Sequence, residues 1–348
     1  MKNVLVTGGA GFIGSNFVRL LLKKNPGVNI VNLDALTYAG NLSSLSDILD
    51  SHVFVKGNIC NRELLDHLFN KYCFDTVINF AAESHVDRSI LDPSVFINTN
   101  VLGTQTLLDV AKKHWKVSSD LYDCEYESGV KFIQISTDET YGDIDGDYKF
   151  TEQTPLAPNS PYSASKAGAD CLVKAYHRTY GMPTCITRCS NNYGPYQFPE
   201  KLIPLVIKNA LESKPIPVYG DGLQIRDWIY VEDHCSAVYD VATRGRLGEV
   251  YNVGSNNEIT NIEIVRTILN ELDRPESLIK YSRDRLGHDR HYAIDSSKIS
   301  AELSWSPKYS FKDGIKKTIE WYLDNSDWLN EVTSGQYMQY YDTMYRNA

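Results

Sequence analysis

The chain has 348 residues, and its 35 basic and 44 acidic residues give a formal net charge of −9 at pH 7. This acidic balance argues against a protein that coats nucleic acid, although a few local cations suffice for a small anionic ligand. Without an apolar run near the ~20 residues of a membrane helix, a signal peptide or zinc-type cysteine spacing, we expect a cytoplasmic protein that has no membrane, nucleic-acid or metal partner.

Short apolar runs alternate with helical patterns through the first 190 residues. The runs predict strands at 4–6, 30–33, 53–55, 76–80, 131–135 and 184–187. Helical patterns follow the first strand and recur around 93–114 and 161–180. Such alternation predicts parallel strands joined by right-handed crossovers, and therefore a doubly wound, Rossmann-type α/β sheet.

The second half of the chain is richer in proline, and its elements are shorter and mixed. One clear helix is predicted at 261–272, where Thr260 and Glu263 form a capping box. We therefore predict a Rossmann-type domain over 1–190, to which 227–253 return, and a smaller mixed α/β substrate-binding lobe over 191–348. The last fifteen residues carry four tyrosines without a clear period, and we assign them no structure.

A glycine-rich loop connects the first strand to the first helix. Gly8, Gly11 and Gly14 are spaced as in loops where the backbone approaches a pyrophosphate and the helix N-terminus faces the anion. Asp34 ends the second strand, where a carboxylate accepts hydrogen bonds from ribose hydroxyls and repels a 2′-phosphate. This favours NAD over NADP. Asn58-Ile59 at the end of the third strand are predicted to flank the adenine.

Tyr162 and Lys166 lie one turn apart at the start of a predicted helix, which Ser160 caps and Pro161 opens. We expect the Lys166 ammonium to lower the pKa of Tyr162, so that the phenolate can take a proton from a sugar hydroxyl. Thr137, at the end of the fifth strand, is placed to hydrogen-bond the same hydroxyl.

Asp138 and Glu139 follow Thr137 and are expected at the same edge of the sheet. A simple oxidoreductase does not need a second acid/base pair beside Tyr162. A dehydratase does, because one group removes a proton from carbon while the other protonates the departing hydroxyl.

These residues resemble the extended short-chain dehydrogenase/reductase superfamily in 8–14, in 81–87 and in the Tyr162/Lys166 pair. Within it, Thr137-Asp138-Glu139 and the later segments 191–195, 198–204, 224–228 and 287–290 resemble the nucleotide-sugar 4,6-dehydratases. The resemblance extends to about residue 330.

The resemblance implies three half-reactions on dTDP-glucose with tightly held NAD, giving dTDP-4-dehydro-6-deoxy-D-glucose and water for the synthesis of a deoxysugar such as dTDP-rhamnose. Tyr162, assisted by Lys166, would take the C4 hydroxyl proton as hydride leaves C4 for NAD. Glu139 would remove the C5 proton while Asp138 protonates the C6 hydroxyl. Hydride would then return to C6.

The resemblance also implies binding residues for the cofactor and for the nucleotide sugar. The cofactor set is Gly8, Gly11, Phe12, Ile13, Gly14, Asp34, Leu36, Thr37, Asn58, Ile59, Ala81, Ala82, Ser84, Thr99, Tyr162, Lys166 and Asn192. The substrate set is His85, Thr137, Asn191, Glu200, Lys201, Leu202, Pro217, Tyr219, Arg226, Asn261, Arg285, His288 and Tyr292.

Two other functions are open at this point. A nucleotide-sugar 4-epimerase would share the glycine loop and the Tyr162/Lys166 pair, and only Asp138, Glu139 and the later segments separate it from a dehydratase. A non-enzymatic NAD-binding regulator would have no need of intact catalytic residues. Whatever the function, the resemblance to the superfamily also implies a homodimer, through a four-helix interface built from 93–114 and 161–180.

Overall fold

The computed structural model describes residues 1–120, 122–144, 146 and 148–333. The predicted absence of structure over the last fifteen residues falls outside this part. The strands of the described residues are β1 (Asn3–Thr7), β2 (Asn29–Asp34), β3 (Val53–Lys56), β4 (Thr76–Asn79), β5 (Lys131–Thr137), β6 (Thr184–Cys189), β7 (Asn191–Tyr193), β8 (Ile216–Tyr219), β9 (Ile225–Tyr230), β10 (Val250–Val253), β11 (Glu258–Thr260) and β12 (Ile279–Ser282).

The α-helices alternate with these strands in the first half of the chain and predominate near its end. They are α1 (Phe12–Lys24), α2 (Arg62–Tyr72), α3 (Val86–Leu91), α4 (Pro93–Phe96), α5 (Thr104–Trp115), α6 (Pro161–Tyr180), α7 (Leu202–Leu211), α8 (Val231–Arg244), α9 (Asn261–Glu271), α10 (Ser297–Leu303), α11 (Phe311–Asp324) and α12 (Ser326–Val332). Within the described residues, no helix is both long and apolar enough to cross a bilayer.

Seven strands form the central sheet, in the order β10-β6-β5-β4-β1-β2-β3, and every pairing in it is parallel. The six strands predicted from apolar runs all belong to it. A smaller sheet has the order β11-β9-β7, and β12 pairs with β8. The predicted Rossmann-type fold class with a smaller mixed part is confirmed.

Three apolar cores surround the site. One lies between the sheet and the helix pair α1 and α8, and a second lies on the opposite face under α2, α5 and α6. A third core is built by α7, α9, α11 and α12 together with β8 and β9. Within 227–253, α8 and β10 lie with the central sheet, whereas β9 lies in the smaller one. The domain boundary at residue 190 stays a prediction.

The predicted helix over 93–114 differs in detail from the structure. It consists of α4, a π-helical stretch at Ile97–Gly103 and α5. Asn100, in the widened turns, donates its side-chain amide to the Ser165 hydroxyl of α6 at 2.8 Å. The π-helical stretch thus brings a buried amide to the catalytic helix, which agrees with the frequent occurrence of π-bulges at functional sites.

Candidate active site

The carboxyl ends of the central strands open into a cleft of about 290 Å³. Residues after β1, β2, β4 and β5 line one part of it, and the segments around β7 and before α7 close the other. Ligands of open parallel sheets bind at this edge, beyond the carboxyl ends of the strands. The described residues contain no group of three or more His, Cys, Asp or Glu side chains suited to a metal ion.

The glycine loop brings the backbone of β1 against that of β4. Gly8 has a φ of +69°, and a Cβ at this position would lie 2.7 Å from the Ala81 nitrogen. Helix α1 then begins at Phe12, and its N-cap Gly11 provides no side-chain hydrogen bond to the first turn. The N–H groups of this turn are therefore available to an anion at the positive end of the helix dipole.

Asp34 is buried at the end of β2 and is held by two backbone N–H groups. Its carboxylate accepts a hydrogen bond from Ala10 at 2.9 Å and another from Leu36 at 2.8 Å. Burial raises the pKa of Asp34, and these two hydrogen bonds oppose the rise. Each oxygen retains a lone pair toward the cleft, as ribose hydroxyl recognition requires.

All predicted cofactor residues line the cleft except Leu36, which instead donates its backbone N–H to Asp34. A cradle that excludes side chains at Gly8, an uncapped helix N-terminus and a buried carboxylate at Asp34 fit a dinucleotide with free ribose hydroxyls. The residues present therefore fit NAD.

Helix α6 begins as its sequence predicts. Ser160 and Ser163 form a reciprocal capping box, and Pro161 is the first helical residue. The helix places Tyr162 and Lys166 in the cleft wall. The Lys166 ammonium donates to the Ile135 carbonyl of β5 at 2.6 Å, which fixes the lysine against the sheet.

The expected effect of Lys166 on Tyr162 differs from what the structure shows. Burial, followed by the negative charge of Glu139, raises the pKa of Tyr162 well above its usual value, and a hydrogen bond with Thr137 opposes the rise. Burial also lowers the pKa of Lys166. Burial and the charge of Glu139 therefore both favour the protonated phenol of Tyr162 when no cofactor is bound.

Asp138 and Glu139 lie in a 3₁₀ turn that directly follows β5 (Asp138–Tyr141). The Thr137 hydroxyl donates to Asp138 at 3.2 Å and accepts from the Glu139 backbone N–H at 3.3 Å. Burial, Glu139 and Asp227 raise the pKa of Asp138 well above its usual value. Burial and these two carboxylates therefore favour the protonated form of Asp138, the form that an acid requires.

Glu139 has a different electrostatic environment from its neighbour. Burial raises its pKa, but the positive charges of Arg285, Lys201 and Arg226 oppose this. The Lys201 ammonium is anchored on the Ser84 carbonyl at 2.7 Å, and Arg226 is anchored on the Asp289 carbonyl at 2.8 Å. These cations favour the carboxylate form of Glu139, the form that a base requires.

The predicted substrate residues divide into two groups. Thr137, Asn191, Glu200 and Lys201 line the cleft. The others lie outside its lining: His85, Leu202, Pro217, Tyr219, Arg226, Asn261, Arg285, His288 and Tyr292.

Several members of this outer group surround Asp87. Its carboxylate accepts from the Tyr219 hydroxyl at 3.1 Å and lies 3.7 Å from Arg285 and 3.9 Å from His85. The His288 ring lies edge-on to Tyr219 at 6.3 Å. These residues thus form one cluster.

The four remaining predicted residues of the outer group lie at the starts of two helices, in strand β8 and beside Arg226. Leu202 begins α7 directly after Lys201, and Asn261 begins α9. Pro217 lies in β8 beside β12. Tyr292 faces the Arg226 guanidinium, whose carbon lies 4.2 Å from the ring centroid. Tyr292 therefore contacts Arg226, one of the three cations that oppose the pKa rise of Glu139.

Three polar residues of the 81–88 segment were not assigned from the sequence. Asp87 organises the outer cluster, Glu83 lines the cleft, and Arg88 forms an ion pair with Glu200 at 3.2 Å. Asp87 and Glu83 belong to the segment 81–87, which carries the family resemblance. That resemblance was the signal from which they could have been assigned. Tyr219, the partner of Asp87, and Glu200, the partner of Arg88, lie more than a hundred positions away, so local patterning could not identify these contacts.

A parallel sheet with a dinucleotide cleft, a Tyr/Lys pair and two adjacent carboxyls in different surroundings is typical of an oxidoreductase-type site with additional groups suited to acid/base chemistry. A family model described as GDP-mannose 4,6 dehydratase matches residues 5–318. The dTDP-glucose 4,6-dehydratase of Xanthomonas campestris pv. campestris is 53% identical, over 97% of each chain. The chain belongs to the nucleotide-sugar 4,6-dehydratase family, as the sequence predicted.

Solved structures agree with this assignment. The dTDP-glucose 4,6-dehydratase of Bacillus anthracis, in complex with NAD, is 49% identical and has a TM-score of 0.86, covering 95% of this chain and 100% of that one. The UDP-glucose 4-epimerase of Thermotoga maritima, with UDP-glucose, has a TM-score of 0.84 but is only 28% identical, covering 93% and 99%. The shared fold therefore does not separate dehydratase from epimerase, whereas the sequence identity favours the dehydratase.

Proposed function

We propose that the chain converts dTDP-D-glucose into dTDP-4-dehydro-6-deoxy-D-glucose and water with NAD as its cofactor. The observation that carries the proposal is the pair Asp138 and Glu139, a buried and a half-buried carboxyl whose pKa values respond to different surroundings. Relatives named dTDP-glucose 4,6-dehydratase and a neighbour in complex with NAD support both the reaction and the cofactor over the epimerase and regulator alternatives.

The proposed mechanism assigns each proton to an atom. Tyr162 must first lose its own proton, which the Lys166 ammonium and the positive charge of bound NAD would favour. As the phenolate, its Oη atom receives the proton of the C4 hydroxyl, with Thr137 as its hydrogen-bond partner. Glu139 takes the C5 proton, which the C4 ketone makes acidic, and protonated Asp138 donates to the C6 hydroxyl as water leaves. When bound, NAD supplies the hydride acceptor for C4 and the hydride donor for C6. Glu139 exchanges this proton with solvent and finally delivers a solvent-derived proton to C5.

The charge of Glu139 also links oxidation to elimination. Because Glu139 raises the pKa of Tyr162, the ionised base makes a charged Tyr162 more costly. Neutral Gln at position 139 should therefore ease proton transfer at Tyr162 while it blocks removal of the C5 proton. Oxidation at C4 and elimination across C5 and C6 are thus separable by one substitution.

The test follows the mass of the sugar nucleotide in deuterated water. With dTDP-glucose and no added reductant, the chain should release one water and incorporate one deuterium at C5, and the product should show the alkaline absorbance of a 4-keto sugar. Glu139→Gln and Asp138→Asn should abolish the loss of water. A product of unchanged mass with the galacto configuration would refute the dehydratase. Unaltered turnover in Glu139→Gln would remove the assigned base.

The binding roles of the site residues follow from their placement. The glycine loop and Asp34 hold the cofactor, whereas Lys201, Arg226, Arg285 and the Asp87 cluster hold the nucleotide end of the substrate, with Tyr219 stacked on the base. Residues 1–190 with 227–253 then serve as the dinucleotide domain, and the remainder serves as the nucleotide-sugar lobe. Arg285→Met should raise KM for dTDP-glucose far more than it lowers kcat.

We also propose a cytoplasmic homodimer that pairs the helices over 93–114 and 161–180. Large apolar side chains are exposed along this face, with Leu91 68%, Ile97 50% and Leu102 49% accessible. Sedimentation should show a dimer that Leu102→Lys dissociates, whereas Leu247→Lys, at an equally exposed leucine elsewhere, should leave it intact. A wild-type monomer at micromolar concentration would refute the dimer.

A further inference from the structure

The loop that follows β2 contacts both the cofactor part of the cleft and the core of the substrate lobe. Residues 35–41, here called the ribose loop, begin directly after Asp34, and Thr37, Ala39 and Gly40 line the cofactor part of the cleft. Tyr38 and Ala39 nevertheless pack against the core of the substrate lobe. The Tyr38 ring meets Phe198 edge-on, with centroids 5.9 Å apart. The cofactor wall is therefore attached to the lobe that holds the substrate.

Arg88 connects this loop to a substrate residue. Its guanidinium carbon lies 3.8 Å from the centroid of the Tyr38 ring, and its Nε lies 3.2 Å from a carboxylate oxygen of Glu200. The negative charge of Glu200 also acts on Tyr38 and raises the pKa of its phenol. Three segments far apart in sequence, after β2, in α3 and before α7, thus meet in one triangle of side chains, with Arg88 in contact with both Tyr38 and Glu200.

Glu200 is buried, whereas Tyr38 and Arg88 are half-buried, and the three side chains depend on one another. Burial raises the pKa of Glu200 to about 7, and the positive charges of Lys201 and Arg88 oppose the rise. Without Arg88, Glu200 would take up a proton and Tyr38 would lose the cation over its ring. Loss of the arginine therefore loosens both the ribose loop and the sugar-facing carboxylate.

We propose that Arg88 is a positioning residue that locks the ribose loop against the substrate lobe, so that NAD and the sugar nucleotide retain each other. This inference rests on the proposed function for the identity of the sugar nucleotide. A sugar held by Glu200 keeps that carboxylate against Arg88, and Arg88 keeps Tyr38 and the loop in place. Because coupling between two ligands is reciprocal, bound NAD raises the affinity for the sugar nucleotide by the same factor.

The first test measures how fast NAD leaves the loaded enzyme, and it needs no turnover. Holoenzyme carrying radiolabelled NAD is diluted into unlabelled NAD, and retained label is followed over time. Arg88→Met should release NAD about tenfold faster or more, since allosteric couplings commonly span roughly 5- to 150-fold. Tyr38→Phe keeps the ring under Arg88 but loses the hydroxyl, and should fall in between.

Arg62→Met is the matched control, because Arg62 pairs with Asp109 at 2.8 Å on the same lobe but away from the cleft. It should release NAD at the wild-type rate. Arg88→Lys restores the charge and should recover most of the retention. Wild-type release from Arg88→Met, or equal acceleration by Arg62→Met, would overturn the lock.

The second test measures the coupling in the Tyr162→Phe background, where dTDP-glucose binds without being oxidised. Calorimetry first confirms binding. We then expect dTDP-glucose to slow NAD release about tenfold when Arg88 is present, and to have no such effect once Arg88→Met is added to the same background. Binding without any slowing refutes the coupling. If dTDP-glucose does not bind, the proposed substrate fails, while the first test still decides whether Arg88 locks the loop.

Discussion

Breaking the buried ion pair beneath the catalytic helix should destabilise the chain more than removing the pair altogether. Arg188 of β6 and Asp170 of α6 are both 0% accessible, and their Nε and Oδ2 atoms lie 2.8 Å apart. The Arg188 guanidinium also lies 4.8 Å from the ring centroid of Tyr141, in the turn that carries Asp138 and Glu139. The pair therefore joins two catalytic segments.

The expected loss in free energy of unfolding follows from the complete burial of Arg188 and Asp170. Asp170→Leu leaves a fully buried guanidinium without its carboxylate, and such a loss costs about 3–5 kcal/mol. Arg188→Met strands the carboxylate and should cost a similar amount. The double substitution replaces both charges by apolar side chains and should lie within about 1 kcal/mol of wild type, since buried pairs recover little more than their desolvation cost. The coupling energy should therefore exceed about 3 kcal/mol.

Urea unfolding followed by circular dichroism provides the free energies of all four chains. If the losses in free energy of unfolding of the two single variants simply add in the double variant, the argument is refuted, because independent sites add and a compensated pair does not.

The same double variant also gives a functional readout. Asp170 raises the pKa of Lys166 against burial, so the basic limb of the kcat profile should move to lower pH in the folded double variant.

Three further predictions concern the cleft. Gly14→Ala should weaken NAD binding at least about tenfold in a titration, because the added Cβ would overlap the Gly8 carbonyl, and unchanged affinity would refute the close approach. Asp34→Ser should weaken NAD and raise the NADP/NAD affinity ratio, which a fixed ratio would contradict. The raised pKa of Glu200 means that its contribution to stability is complete below pH 4.5 and is lost as pH rises through about 7. Glu200→Gln should remove this slope, worth up to about 3 kcal/mol, from denaturation measured at each pH, and an identical slope in both chains would exclude Glu200 as its source.

Features encoded by neighbouring residues were predictable from the sequence. The capping box at Thr260 and Glu263 and the start of α6 at Pro161 both form as their spacing predicts. Buried parallel strands are continuous apolar runs, so β1 to β6 were visible as well. The glycine spacing predicted the position of the cofactor cleft because it reflects a local backbone requirement, namely the positive φ of Gly8.

Features set by packing between distant segments were not predictable in this way. The expected influence of Lys166 on Tyr162 rested on their shared helix face, but burial and Glu139 dominate the pKa of Tyr162. The π-helical widening at Ile97–Gly103 has no simple residue signature. Asp87 obtains its partners from β8 and from the segment after β12, so its role appears only once the chain is folded.

One short turn explains how a fold shared with epimerases can perform elimination. Asp138 and Glu139 are adjacent, yet Asp138 lies within the influence of Asp227 and Glu139 within that of three cations. The proposed elimination needs an acid and a base on the same sugar at one pH, and different surroundings of the two carboxyls favour this division. Lys201, Arg226 and Arg285, the cations that oppose the pKa rise of Glu139, all lie beyond β6, so we expect the second half of the chain to contribute to the proposed elimination.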